Sequence, residues 1–369
     1  MRHRPERLEL TIGETRLASH EVDALKGIFI FLIILGHNVT LTTALPGLGK
    51  LLYSFHVQGF FVLSALLSKP HLSSAQLLDR AVRYFVPFLF FVTSCSLLYW
   101  IIEEPRGGLE GFRWREFSGA VLLGNALRCD AACGLQLYWF LPALFAFTTT
   151  RSLVEGTGRA VTVTWLIVCL VVTLAAPVLP ESVREFQLWS VVSVAMVWPS
   201  IALTRVLVRN CWIESKSRPL LLWGLVFILC ETVLMHSPGK VNVALINGFR
   251  MDQPFALSAQ IICPAAAFLF ACAVVRMPRS NRFLALIGRH SMVIFLVHSL
   301  VYQGLIRVFR VAFGRWRIED DPLLYGTGVF ALTVAASVVF AILLGHFTKF
   351  SRLVFPRGLS EWRRASGLG

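Results

Sequence analysis

The sequence predicts an all-α polytopic membrane protein of about ten transmembrane helices, both termini cytoplasmic. Three observations lead there. Of the 369 residues, 56% are hydrophobic and only 15% charged, with a mean hydropathy of +0.67, well outside the range of soluble domains. The apolar residues fall in continuous runs rather than alternating, which selects helices over a barrel. The basic residues gather in alternate connections, and that asymmetry sets orientation.

Apolar runs long enough to span recur near 24–45, 51–68, 81–102, 137–154, 160–178, 187–208, 219–236, 255–275, 283–306 and 322–346. With the N-terminus inside, the cytoplasmic connections hold Arg80 and Arg83, Arg205 and Arg209, Arg276 and Arg282, and Lys349 and Arg352. The net charge of +14 is therefore a topology signal rather than a nucleic-acid footprint, and the expected surroundings are membrane lipid. The first twenty residues are polar and mixed in charge, so no cleavable signal peptide is expected. This divides the chain into a cytoplasmic segment 1–20, an integral-membrane domain 21–348 and a cytoplasmic tail 349–369. No internal repeat is visible.

Most connections are short. The exception is the outer loop from Glu103 to Gln136. Its later part, Ser118 to Asn125, is too short to span and is expected to pack as an interfacial helix. Such a loop is either a lid over a binding site or a connector. Cys129 and Cys133 lie in it and could be bridged in an oxidising compartment. No third or fourth ligand stands near them, so no metal is expected.

The chemistry-bearing residues are those inside the bilayer. Lys26 and His37 lie eleven residues apart on the first span, about three turns and about 16 Å along one helix face. Counting rise from each expected entry point puts His37 about 20 Å in from the cytoplasm, His56 about 8 Å from the outer side and His298 about 22 Å up. In a core about 30 Å thick, the three histidines share one layer. His56 or His298 alone is better read as a packing residue; three histidines at one level point to a polar chamber. Glu231, the remaining deep acid, reads first as the partner of a buried cation and alternatively as a residue that orients a histidine.

A second group lies at the cytoplasmic ends. Asp23 and Lys26 are three apart on the first helix, as are Arg80 and Arg83 on the third, so each pair shares a face. Snorkelling accounts for Arg80, less so for Arg83, which is followed by Tyr84-Phe85-Val86-Pro87-Phe88. Cations there suit a phosphate-bearing cytosolic ligand. A reach of about 16 Å is comparable to an extended pantetheine arm, so acetyl-CoA or another acyl-CoA is the expected donor substrate, with no bound cofactor. His37 would serve as a base toward a sugar hydroxyl or as a transient acyl carrier.

At these residues the chain resembles the acyltransferase-3 family of integral-membrane acyltransferases, most of all its fucose 4-O-acetylase-like branch. Val22-Asp23-Ala24-Leu25-Lys26-Gly27 followed by Ile34-Leu35-Gly36-His37 is similar to that family's opening. Leu52-Tyr53-Ser54-Phe55-His56 with Phe60-Phe61-Val62-Leu63-Ser64 is similar to its second-helix signature, and Arg80-Ala81-Val82-Arg83 to its two-arginine motif. Leu137-Tyr138-Trp139-Phe140-Leu141-Pro142-Ala143 and Ile287-Gly288-Arg289-His290-Ser291 through His298 resemble later motifs. The likeness runs in order along nearly the whole chain. Val57-Gln58-Gly59 departs from the family's usual Met-Pro-Leu, and Ala65 from a usual glycine.

The resemblance implies transfer of an acyl group from acyl-CoA to a carbohydrate hydroxyl. It implies a catalytic His37, donor-binding Lys26, Arg80 and Arg83, and supporting Asp23, His56 and His298. The expected setting is a bacterial inner membrane. The expected acceptor is a surface or secreted glycan: exopolysaccharide, O-antigen or a nodulation-type lipo-chitooligosaccharide. The rival class is a secondary transporter of an anionic solute, which would use the same buried charges as an ion path. Paired broken helices in two halves would favour that rival, and none is visible.

Overall fold

The computed structural model describes residues 10–12, 15–68, 71–103, 112–175, 182–183, 187–210, 218–236, 254–276, 281–313 and 321–367. Most of the expected segment 1–20, and residues 104–111 of the outer loop, lie outside them. The described chain is helical apart from a two-stranded antiparallel hairpin, β1 (Leu10–Ile12) and β2 (Thr15–Leu17). That hairpin has no signal in the apolar pattern.

Among the described residues, five helical stretches are long and apolar enough to cross a membrane: Pro46–Leu67, Ser74–Ile102, Leu188–Arg209, Ser291–Ala312 and Pro322–His346. Arg159–Ala175, Leu221–His236 and Ile261–Val275 are apolar but shorter. Outward faces carry large apolar side chains, among them Leu97, Ile101, Ile167, Val171, Ile228 and Leu343. Exposed apolar side chains along helices of this length and composition suit a covering of lipid rather than water.

Helices occupy the described part of every expected apolar segment. The fourth and sixth open in 3-10 turns, Gln136–Trp139 and Leu188–Ser190, the latter with positive φ at Trp189 and Ser190. Three others each divide into two α-helices. The first divides into α1 (Ser19–Gly36) and α2 (Val39–Ala44). His37 closes α1, and Asn38 caps α2 by accepting the Leu41 N–H at 3.1 Å. The second divides into α3 (Pro46–Tyr53) and α4 (His56–Leu67). Pro46 starts α3 in the position where its missing N–H costs nothing. The ninth divides at His290.

In chain order the following helices are α5 (Ser74–Glu103), α6 (Trp114–Leu123), α7 (Ala126–Cys133), α8 (Phe140–Thr157) and α9 (Arg159–Ala175). Next come α10 (Val191–Asn210), α11 (Arg218–His236), α12 (Pro254–Val275), α13 (Asn281–Arg289) and α14 (Ser291–Phe313). The chain ends with α15 (Pro322–His346), α16 (Thr348–Val354) and α17 (Leu359–Ser366). The outer-loop segment expected to be helical from Ser118 is α6, and it begins earlier, at Trp114.

The described residues form two compact units, the boundaries falling between α4 and α5 and inside α10 and α15. The first comprises the described residues up to 68 and those from 199 to 342. Its centre is α1, buried along Val22, Ala24, Leu25, Phe29, Ile30, Ile33 and Ile34. Two glycines let α13 lie against it backbone to backbone. A Cβ at Gly27 would overlap the Leu284 carbonyl, and one at Gly288 the Asp23 carbonyl. Phe29 stacks on Phe268 of α12 with ring centroids 6.3 Å apart, and Gly59 of α4 gives its ring room. Gly59 is one of the departures from the family pattern, and here its bare Cα accommodates an aromatic ring.

The second unit comprises the described residues from 71 to 198 and from 343 onward. Phe85 of α5, Phe145 of α8 and Trp189 form a ring cluster with centroids 5.1–5.6 Å apart. Tyr138, fully buried, bonds Cys95 of α5 at 3.1 Å. Cys129 and Cys133 lie on α7 as free, buried thiols, with Cys133 donating to the Cys129 carbonyl at 3.1 Å. Burial holds the Cys129 thiol well above its usual range and pushes Cys133 up to about 12. The structure therefore contains no bridge between them.

Candidate functional site

Two histidines meet at the end of α1. His37 Nδ1 lies 2.8 Å from His298 Nε2, with the rings inclined by only 10°. The hydrogen-bond network assigns their protons. His298 Nδ1 faces two carbonyls, Phe295 at 2.7 Å and Ile294 at 3.2 Å. Carbonyls only accept, so Nδ1 carries the proton and the neutral ring presents a lone pair at Nε2. His37 Nδ1–H then donates to it, which leaves His37 Nε2 as an acceptor. The Ser299 hydroxyl approaches the same His298 nitrogen at 3.2 Å. His37 is thus held in one tautomer by a second residue, an arrangement that would leave its Nε2 able to take a proton, as the orienting group of a catalytic triad does for its histidine.

The end of α1 is lined further by the α3–α4 break. His56 is fully buried, and its Nδ1–H donates to the Leu52 carbonyl. Its Nε2 has no hydrogen-bond partner among the described residues and faces Gly36, where a Cβ would stand 3.5 Å away. Tyr53 bridges the two histidines in space. Its ring lies 4.9 Å from His56 and 6.4 Å from His37, and its hydroxyl donates a long bond, 3.4 Å, to the Gly36 carbonyl. Nothing in the sequence pattern marks Tyr53 or Ser299 as a site residue. A helix break between residues 53 and 56 carries no periodic signal, and Ser299 depends on where its neighbour points.

Glu231 differs from expectation. Its carboxyl group meets no cation among the described residues; it is bonded to the Ser54 hydroxyl and the Cys263 thiol, the latter at 3.0 Å. Since Ser54 sits in the α3–α4 break and also bonds Leu51 O at 2.6 Å, Glu231 ties that break to α11. Side-chain bonds to backbone of this kind compete with helix continuation.

Lys26 Nζ pairs with Asp23 at 3.0 Å, both half-buried near the start of α1. In the second unit, Arg80 is half-buried and Arg83 exposed on one face of α5. Arg83 Nη2 donates to the Arg357 carbonyl at 2.8 Å. Among the described residues no carboxylate pairs with Arg80 or Arg83, and no group of His, Cys, Asp and Glu is placed to hold a metal.

No curated protein and no solved structure matches the chain. A family model described as an acyltransferase domain matches residues 19–342. That span runs from the first turn of α1 to within the last long apolar helix and contains His37, His56 and His298, together with Lys26, Arg80 and Arg83. The chain thus belongs to the acyltransferase-3 family and is a multi-pass membrane acyltransferase.

Proposed function

We propose that the protein moves an acetyl group from acetyl-CoA to a hydroxyl of a surface or secreted glycan, acting from a bacterial inner membrane with both termini cytoplasmic. The observation that carries the reading is the His37–His298 pair, a base oriented by a second imidazole at the end of α1. His37 Nε2 takes the proton of the sugar hydroxyl as its oxygen attacks the thioester carbonyl. The C–S bond breaks, and the thiolate leaves with the proton returned from Nε2. Positive charge on the imidazole develops at a helix C-terminus, where cations are favoured. His298 keeps the tautomer that makes the step possible.

Lys26, Arg80 and Arg83 serve the donor in this reading, because the phosphates of CoA call for cations, and among the described residues no carboxylate pairs with Arg80 or Arg83. Asp23 orients Lys26. His56 supports the chamber at Gly36. The decisive assay gives acetyl-CoA to membranes containing the full chain and measures free CoA thiol with and without isolated glycan. Acceptor-dependent thiol release supports the reading; uptake of an anionic solute with no thiol release would return the protein to the transporter class.

A donor-side variant adds resolution. Arg83→Ala should raise the acetyl-CoA KM about tenfold, the loss of roughly one charge-assisted bond, and leave the acceptor KM unchanged. An unchanged donor KM would restrict that arginine to marking topology.

A further inference from the structure

The sequence predicts only a short basic tail at the C-terminus. Instead, the segment is folded onto the two-arginine motif, entirely within the second unit. Phe350 of α16 packs on Phe90 and Phe355 on Phe91, each with centroids 5.9 Å apart, which brings the segment back along α5. Two polar contacts then fix its end beside the motif. Arg83 Nη2 donates to the Arg357 carbonyl at 2.8 Å, and the Leu359 N–H donates to Asp79 Oδ1 at 2.8 Å. Gly358 lies between them, buried so close to Asp79 that a Cβ there would stand 2.6 Å from Oδ1.

The acids at this junction are held by the C-terminal segment itself. Glu361 pairs with Arg352 at 3.5 Å and accepts the Arg357 N–H at 2.8 Å. Asp79 is engaged by the backbone of the tail. Among the described residues, the side chains of Arg80, Arg83 and Arg357 have no carboxylate partner. Arg83 is held by a carbonyl, which orients a guanidinium without neutralising it. Two unneutralised arginines on one face of α5, with the backbone of a third touching one of them, suit a polyanion.

We propose that Arg357–Leu359 completes a phosphate site with Arg80 and Arg83: the Arg357 carbonyl positions Arg83, and the Arg357 guanidinium adds a third cation. The inference rests on the donor reading above and assigns the C-terminal segment a direct part in holding CoA phosphates. Asp79 is a positioning residue, because it fastens the segment and touches no ligand.

Two substitutions test it in the full chain in detergent, by isothermal titration with acetyl-CoA. Arg357→Ala leaves the backbone carbonyl in place and removes an exposed side chain, so folding is not at issue. It should weaken binding about tenfold, the loss of about one charge-assisted contact. Asp79→Ala is the sharper case. Removing an acid beside a cationic site should tighten anion binding on electrostatics alone, whereas loss of the clamp weakens it. Weakening in both variants supports the proposal. Wild-type or tighter binding in either, with Arg83→Ala weakened, would overturn the tail's role and leave the donor reading standing. Failure of the unmodified chain to bind acetyl-CoA would overturn the donor reading itself, and the tail's role with it.

Discussion

His298→Ala should slow acyl transfer by about two to three orders of magnitude, in the range that positioned acid–base groups contribute. The variant leaves His37 in place but removes the acceptor of its Nδ1 proton. The remaining imidazole is then free to present the proton rather than the lone pair to the substrate. The loss should fall on kcat, with the KM for acetyl-CoA little changed. His298→Gln keeps a carbonyl oxygen that accepts from Nδ1 and should recover part of the rate. Because the two rings act as one unit, adding His37→Ala to His298→Ala should cost little beyond His37→Ala alone. Fully additive losses in rate would mean that the 2.8 Å contact carries no function.

The second large effect concerns folding. The site depends on α1 being held at both ends, and its closest neighbour is α13. At Gly27 and Gly288 the two backbones touch, and the atoms that a new Cβ would meet are carbonyl groups of the opposite helix. A carbonyl within a helix cannot swing aside as a side chain can. Gly288→Ala therefore forces the helices apart, and overpacking of this kind costs about 1–3 kcal/mol or more. Gly304→Ala is the control, since nothing lies within 4 Å of a Cβ there. Thermal unfolding in detergent, read by monodispersity on size exclusion, should show a midpoint several degrees lower for Gly288→Ala. The Gly304 variant should equal or exceed wild type. Equal midpoints for the two variants would show that the α1–α13 contact is not close-packed.

Much of the site is legible in the sequence, and for a physical reason. Ionisable groups in hydrocarbon are rare enough that reckoning their depth by helical rise carries information. That reckoning puts His37, His56 and His298 in one layer, and in the structure His298 touches His37 while His56 faces the glycine beside it. The arithmetic assumes continuous helices, however. The breaks near His37 and His56 escape it because apolar runs look the same whether or not the backbone pauses. Asn38 is the available sign of the first break. The second rests on Ser54, whose partners Glu231 and Cys263 are distant in sequence.

Long-range placement through the backbone is the least legible feature. Arg83 is bound by a carbonyl, and a carbonyl belongs to every residue, so no side-chain pattern announces it. Gly358 reads as an ordinary turn residue until Asp79 is found against it. Glu231 reads as an ion-pair partner because buried acids usually need a cation, yet here a hydroxyl and a thiol satisfy it.

The proposed chemistry turns on a single imidazole removing the proton from a sugar hydroxyl while an acyl-CoA supplies the acetyl group. Mass spectrometry of surface glycans tests this directly, using cells with equal amounts of the wild-type chain or of His37→Ala and a strain lacking both. The expected result is the mass gain of one acetyl group per modified sugar in wild type alone. The same acetylation in His37→Ala cells, above the level of the strain lacking the protein, would contradict it.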